Sequence, residues 1–381
     1  MPDKRKIYDM KKHSFSLLNI VFYLINLIAC ILLLLSYLAN FISPDSFTFL
    51  AYCGIIYPYL LSANVFFVLY WALQRKRYVF YSLISILIGF TFIPRLYPFN
   101  NKQELTNDTA LFKVLSYNVH VFGMYEPDNH NKDSIFDYIA MQQPDIVCLQ
   151  EYFQDHKNHL HDKVMQNILQ TKHQYLEIDG INQKIGLAVF SKYPIINQGI
   201  LAFTDSSNNK AVFTDLCLEN DTIRIYNIHF QSIYFDKEDY LFTSKFTKTD
   251  LNLKSEEMQT GSKRILKKMK QGYIYRSEQV KHIVNHIKSS PYPVVVCGDF
   301  NDIPWSYTYH QIHKLLSDAF VSSGKGFGNT LFINNKFPFR IDYIFYDKTF
   351  FNTSGFTVDK TAFSDHRPVY TYFSIKDKNQ E

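Results

Sequence analysis

Three long apolar runs crowd the start of the chain, and shorter apolar runs spaced by polar turns fill the rest. Residues 15–42 carry no charged side chain, and residues 47–73 form a second uncharged run. A third run, 78–94, is bounded by Arg77 and Arg95. A helix needs about 20 apolar residues to cross a bilayer core. The first two runs exceed that and the third is near the lower limit. A soluble helix of such length would need a very large core to hide it. The pattern therefore predicts an N-terminal membrane region, 1–96, with three transmembrane helices at about 15–42, 47–73 and 78–94. A polar linker at 97–110 follows, with the turn-favouring pairs Asn100-Asn101 and Asn107-Asp108.

Beyond the linker the period changes. Strands are predicted at 111–119, 145–151, 186–191, 211–218, 222–230, 294–297, 340–346 and 369–375. Helices are predicted at 134–142, 155–170, 262–288 and 306–320. Several strands have continuous apolar middles, as expected where both faces of a sheet are covered. Strands alternating with helices, together with hairpin-like strand neighbours, fit two packed sheets covered by helices. The stretch 236–275 breaks this pattern. It is polar and lysine-rich and reads as a basic insertion.

Charge sets the orientation. Lys4, Arg5, Lys6, Lys11 and Lys12 precede the first run, and Arg75, Lys76 and Arg77 lie between the second and third. No Lys or Arg separates the first from the second. The positive-inside rule puts the N-terminus in the cytoplasm and, with three spans, the large domain on the extracytoplasmic side of an inner or plasma membrane. If the third run only dips into the bilayer, the domain lies inside. The net charge of +5 over 381 residues is too mild to argue for a nucleic-acid partner. The five cysteines have no zinc-site or disulfide spacing.

Six motifs stand at the ends of apolar runs: Leu115-Ser116-Tyr117-Asn118, Leu149-Gln150-Glu151, Tyr226-Asn227-Ile228-His229, Cys297-Gly298-Asp299-Phe300-Asn301, Arg340-Ile341-Asp342-Tyr343-Ile344 and Ser364-Asp365-His366-Arg367-Pro368. Polar groups at strand ends can converge on one sheet edge. Carboxylates, amides and imidazoles together suit a hard divalent cation and a phosphate. In this order the motifs resemble those of the endonuclease/exonuclease/phosphatase superfamily of metal-dependent phosphoesterases, over roughly residues 111–376. The resemblance implies an α/β fold, a four-layer α-β-β-α sandwich of deoxyribonuclease type.

The resemblance also implies roles. Glu151 matches the family's metal-binding glutamate, and a carboxylate ending a buried strand needs a partner in any case. Asn118 matches the metal-site asparagine, and Asp365 an acid beside the metal. Asp299 matches the group that orients or deprotonates the attacking water, and Asn301 one that holds a phosphate oxygen. His229 and His366 match phosphate-contacting histidines, with Asp342 paired to His366. Such a pairing favours the imidazolium. The implied cofactor is Mg2+, with Mn2+ able to substitute.

Other candidates carry less. His156, His159 and His161 read as a solvated helix face without zinc-site partners. The glycine-rich 324–328 stretch lacks phosphate-loop spacing and reads as a flexible loop. Lys263, Arg264, Lys267, Lys268 and Lys270 surround Ile265, Leu266 and Met269. They read either as a solvated face or as a contact for anionic lipid head groups, and nucleic acid is equally allowed by charge. The expected function is a membrane-anchored, Mg2+-dependent phosphoesterase acting on a phosphodiester or phosphomonoester, such as a lipid head group or another extracytoplasmic phosphoester. The alternatives are a metal-dependent nuclease and an inactive membrane sensor that binds a phospholigand.

Overall fold

The protein is described by a computed structural model covering residues 17–100, 111–123, 131–154, 160–179, 184–203, 209–219, 221–236, 238–239, 241–242, 255–331 and 339–376. Its helices in chain order are α1 (Leu17–Leu38), α2 (Pro44–Phe47), α3 (Phe49–Ile55), α4 (Tyr57–Leu73), α5 (Val79–Ile88), α6 (Ile93–Leu96), α7 (Asn131–Gln142), α8 (Leu160–Leu169), α9 (Ser255–Lys288), α10 (Tyr307–His313) and α11 (Ala319–Ser323). The strands are β1 (Leu111–Asn118), β2 (Ile146–Gln154), β3 (His173–Asp179), β4 (Lys184–Ser191), β5 (Ile195–Ala202), β6 (Lys210–Leu218), β7 (Asp221–His229), β8 (Val294–Asp299), β9 (Ser317–Asp318), β10 (Asp342–Tyr346), β11 (Phe351–Val358) and β12 (Val369–Ile375).

The apolar runs that read as doubly covered strands are the centres of two six-stranded sheets, ordered β11-β12-β1-β2-β4-β3 and β5-β6-β7-β8-β10-β9. Each sheet has one central parallel pair, β1 with β2 and β7 with β8. The pairs flanking them are antiparallel. Val114, Cys148, Val189, Ile225, Val295 and Ile344 meet between the sheets. Ile135 and Ile139 of α7 and Met165 of α8 cover the outer face of the first sheet. Val280 and Ile283 of α9 and Ile312 of α10 cover the second. This is the four-layer α-β-β-α sandwich.

Several expectations change. The helix expected over 306–320 is broken: α10 stops at His313, and Ser317–Asp318 pairs with β10 before α11 begins. The Asp318 side chain caps α11 by accepting from Phe320 N at 2.9 Å, a role that favours a helix start over continuation. Residues 255–275 of the expected insertion form the first half of α9, and 243–254 lie outside the described residues. His161 is not on a solvated face. It packs against Phe122 and bonds Phe153 O at 2.8 Å; His156 and His159 lie outside the described residues. The glycine-rich loop is pinned by Asn100, which donates to Gly324 O at 3.0 Å, and by a bridge from Phe99 to Lys325.

The apolar N-terminal runs form a helical bundle. Among the described residues one helix, Leu17–Leu38, is long and apolar enough to span a membrane, and up to three runs are if each bent pair counts as one. The bends are 65° between α3 and α4 and 56° between α5 and the 90–96 segment. Polar side chains stitch the bundle inside: Asn26 donates to Ser82 Oγ at 2.5 Å, Trp71 Nε1 to Asn26 Oδ1 at 2.9 Å, and Cys30 Sγ to Asn64 Oδ1 at 3.2 Å. At one end Asn19 accepts from Tyr70, and Tyr23 packs on Tyr78. At the other, Tyr37 packs on both Tyr57 and Phe92. Each run thus travels the length of the bundle. The sandwich sits at the Tyr37 end, where Ile303 and Trp305 join the bundle's apolar cluster.

Candidate active site

Parallel and antiparallel register bring the motif ends together. Across the second sheet His229, Asp299 and Asp342 lie side by side, with Asp299 paired to each of the other two. Gly298 makes this approach feasible. Its φ is +147°, and a Cβ there would lie 2.0 Å from Ile228 O, so only glycine fits. In the first sheet Asn118 stands opposite Gln150. The β2–β4 register shifts between Leu149 and Tyr152, and Glu151 has φ +50°. This bulge turns the carboxylate out of the strand's alternation.

The side chains then meet across the two sheets. The Asn118 amide nitrogen donates to Glu151 Oε1 at 3.2 Å and to Asp299 Oδ2 at 3.0 Å. Its Oδ1 accepts from His120 N at 3.0 Å. Asn118 therefore faces the acids with its donor end, whereas ligation through oxygen needs the amide turned end for end. His229 Nε2 lies 3.8 Å from both Glu151 Oε1 and Asp299 Oδ2, and it is buried without a hydrogen-bond partner. His366 Nδ1 donates to Asp342 Oδ2 at 3.0 Å, and its Nε2 lies 3.6 Å from Asp299 Oδ2. Asn301, at φ +50°, donates its backbone N–H to Asp299 Oδ1 at 2.8 Å and its amide to Phe230 O at 3.0 Å. Ser364 Oγ links Asp365 Oδ1 at 3.2 Å to the Asn118 carbonyl at 2.8 Å.

Electrostatics separates the acids. Burial pushes the Asp299 carboxyl up to about 6, against the opposing charges of His366 and His229. Burial would also raise Glu151, but the His120 bond and the charges of His229 and His366 hold it down at about 2. Burial alone would lower His366. The Asp342 and Asp299 charges outweigh it, so the ring keeps its proton well above the ordinary range.

All eight sequence-predicted residues lie in this one constellation. His120 was missed. Its Nδ1 lies 3.5 Å from both Glu151 Oε2 and Asp365 Oδ1, and its only sequence signal was its place two positions after Asn118. Gln150 and Asn227 were also missed, although both stand inside the motifs.

The donor set fits a hard divalent cation. Asp299, Asp342 and His366 offer ligand atoms within 4.8 Å of one another, but Asp342 and His366 already satisfy each other. Glu151 and Asp365 are 28% and 39% exposed, which leaves room for the water such a cation keeps. An imidazole sits between them where positive charge is called for, and the orphaned His229 nitrogen faces the same space. These residues can hold a cation, an anion and a water together.

Residues 115–366 match the family described as Endonuclease/Exonuclease/phosphatase family, and residues 19–96 match a domain of unknown function (DUF8431). No curated protein matches the chain. Among solved structures, an endonuclease/exonuclease/phosphatase from Bacteroides vulgatus is 15% identical, with a TM-score of 0.51 over 70% of this chain and 100% of that one. A family protein from Bacteroides thetaiotaomicron is 15% identical, with a TM-score of 0.50 over 71% and 99%. The sulfate-bound catalytic domain of human Nocturnin is 18% identical, with a TM-score of 0.48 over 70% and 95%. With the match spanning more than half its length, the chain belongs to the endonuclease/exonuclease/phosphatase family, whose members are generally divalent-metal-dependent hydrolases of phosphoester bonds.

Proposed function

We propose that this protein is a membrane-anchored, Mg2+-dependent phosphoesterase that hydrolyses a phosphodiester or phosphomonoester by attack of water. The observation that carries the reading is the convergence of Glu151, Asp299, His229 and His366, with each imidazole Nε2 3.6–3.8 Å from a carboxylate oxygen. Glu151, Asp365 and the Asn118 amide would hold Mg2+, or Mn2+ in its place. Bound there, the cation supplies charge neutralisation for the phosphate oxygens.

The chain's own groups do the rest. Asp299 is a buried carboxylate with an elevated proton affinity, suited to taking a proton from the attacking water. Asn301 N–H fixes its rotamer. His366, held as a cation by Asp342, offers Nε2–H to a developing phosphoryl charge. His229, orphaned at the same spot, can contact the phosphate and assist the leaving oxygen.

The apolar bundle supports integral membrane placement. Its three end-to-end runs and the basic residues near its N-terminus support a cytoplasmic N-terminus and an extracytoplasmic catalytic domain. A lipid head group or other extracytoplasmic phosphoester is the substrate class that suits this arrangement. The exposed lysines of α9 support contact with anionic lipid head groups. Tyr52 of the bundle donates to Leu266 O at 2.7 Å, so that stretch of α9 lies beside the bundle's sandwich end.

The test uses the full chain in detergent or nanodiscs. EDTA-sensitive hydrolysis of bis-p-nitrophenyl phosphate, lost in Asp299→Asn, supports the reading. No turnover with either metal on phosphodiesters and monoesters favours the phospholigand-binding sensor. Turnover of DNA but not of phospholipid vesicles favours the nuclease. A reporter fused after residue 105 reads the side of the membrane.

A further inference from the structure

We propose that the N-terminal bundle is a working part of the active site: Asn40 and Arg95 are positioning residues for the loop that follows Asn301. The proposal rests on the phosphoesterase reading and gives a role to the segment 19–96, matched only to a domain of unknown function.

The loop 302–306 leaves the site directly from Asn301 and carries Ile303 and Trp305 into the bundle. There they pack with Tyr37, Tyr57 and Phe92. The Trp305 ring lies 4.7 Å from Tyr57. Buried loop carbonyls need donors that no strand supplies. Asn40 donates to Trp305 O at 2.8 Å, and Arg95 donates to Pro304 O at 3.0 Å. Arg95 also donates to Asn40 Oδ1 at 2.9 Å, so the two donors brace each other. Both carbonyls of this short turn are therefore held from the bundle.

What this holds matters for the chemistry. Asn301 sits at φ +50°, a left-handed conformation that a non-glycine residue keeps only when its surroundings fix it. Its N–H fixes Asp299, the group that would take the proton. A second arm reaches the other acid. Arg340 donates to Arg95 O at 3.2 Å, pairs with Asp318 at 2.7 Å, and leads into Asp342. The Tyr343 hydroxyl lies 2.8 Å from Asp302 O and 2.7 Å from Arg340 O, so it spans the two loops. Both loops that present catalytic carboxylates thus end on the bundle, one on the Asn40 and Arg95 side chains and the other on the Arg95 backbone carbonyl. A flexible tether would have left Ile303 and Trp305 exposed; instead they are 6% and 3% exposed.

The test is a kcat-against-KM comparison on the full chain, with bis-p-nitrophenyl phosphate as the small soluble probe. Asn40→Leu keeps the side-chain branching and removes the bonds to Trp305 O and from Arg95. Arg95→Met keeps the stem and removes the donors, and Arg95→Lys is the conservative control. The expected result is a kcat lower by roughly tenfold to a hundredfold, the cost of about 1 Å of misplacement. KM stays within about twofold, and Arg95→Lys recovers most of the loss.

A second readout does not need turnover. The chain has 2 tryptophans, so in a Trp71→Phe background Trp305 is the sole indole emitter. Mn2+ added to that background should alter Trp305 emission, and the response should be lost in Asn40→Leu. If the parent turns over nothing but the Trp305 response behaves this way, the phosphoesterase reading fails and the coupling stands. Parental kcat in both Asn40→Leu and Arg95→Met overturns the coupling, as does Trp305 emission that Mn2+ leaves unchanged.

Discussion

Gln150 donates its amide to Asn227 Oδ1 at 2.7 Å, joining the two sheets directly behind Glu151 and His229. Asn227 in turn donates to Leu149 O at 2.9 Å and Ala188 O at 3.0 Å. Leu149 stands where the β2–β4 register slips, and the opposite sheet supplies the donor its carbonyl needs. Asn227→Leu takes a donor from the Leu149 and Ala188 carbonyls and one of three acceptors from the Gln150 amide. Urea unfolding should show a loss of about 2–3 kcal/mol. Adding Gln150→Leu should recover part of it, because the buried Gln150 Oε1, which has no hydrogen-bond partner, is removed.

Asp299 should trade stability for function. Its carboxyl is raised to about 6 by burial, so the folded state binds the proton more tightly than the unfolded chain. Its stabilising contribution is full below the ordinary carboxylate pKa and is lost as pH rises through 6. In EDTA at pH 8, Asp299→Asn should therefore be more stable to unfolding than the parent, by about 1–3 kcal/mol. The gain should vanish near pH 4, and turnover should be lost at every pH. A bound cation lowers this pKa, so the acid limb of the parent's rate profile should fall below 6.

In the proposed site His120 would compete with the cation. Its ring lies between Glu151 and Asp365, and the Glu151 bond raises its pKa against the cost of burial. The protonated ring steadies the metal-free site at low pH, and that support is lost as pH rises through the elevated value. His120→Asn should bind Mn2+ several-fold more tightly, with a larger gain at pH 6 than at pH 8. Titration calorimetry checks this; an equal or weaker affinity at pH 6 contradicts it.

The basic stretch of α9 divides by partner. Arg264 bonds Asp239 at 2.6 Å and Glu238 at 2.8 Å, and Lys268 bonds Asp236 at 2.8 Å and Asp239. Lys263, Lys267 and Lys270 are exposed beside Leu266. Each lysine near an anionic surface is worth about 1 kcal/mol. Changing all three to Ser should therefore lower the selectivity for spin-labelled phosphatidylglycerol over phosphatidylcholine, while Arg264→Ser should instead reduce thermal stability.

Removing the bundle should expose the Ile303 and Trp305 faces. A segment starting at residue 105 should aggregate or melt several degrees below the full chain, and light scattering with thermal unfolding reads both effects.

The two-sheet sandwich was legible because runs such as 145–151 and 294–297 are apolar throughout, which is what a doubly covered strand requires. The edge strands β3, β5 and β11 were missed, since residues such as Gln174, Asn197 and Asn352 dilute the pattern. The break after His313 was also hidden, because a two-residue strand has no period to detect. At the site the motif ends declared themselves through residue type. His120 did not, because its place depends on a turn with positive φ at His120, Val121 and Phe122. Asn40 and Arg95 looked like ordinary polar ends of apolar runs. Their meeting with Pro304 and Trp305 spans more than half the chain and leaves no local trace.

The Tyr57–Trp305 contact has a kinetic corollary. With the bundle embedded in lipid as proposed, the cleft bolted to it would search a plane rather than a volume, and its encounter rate would follow the number of targets per unit area. Diluting a lipid target within the bilayer would slow such an enzyme, whereas diluting the vesicles themselves would not.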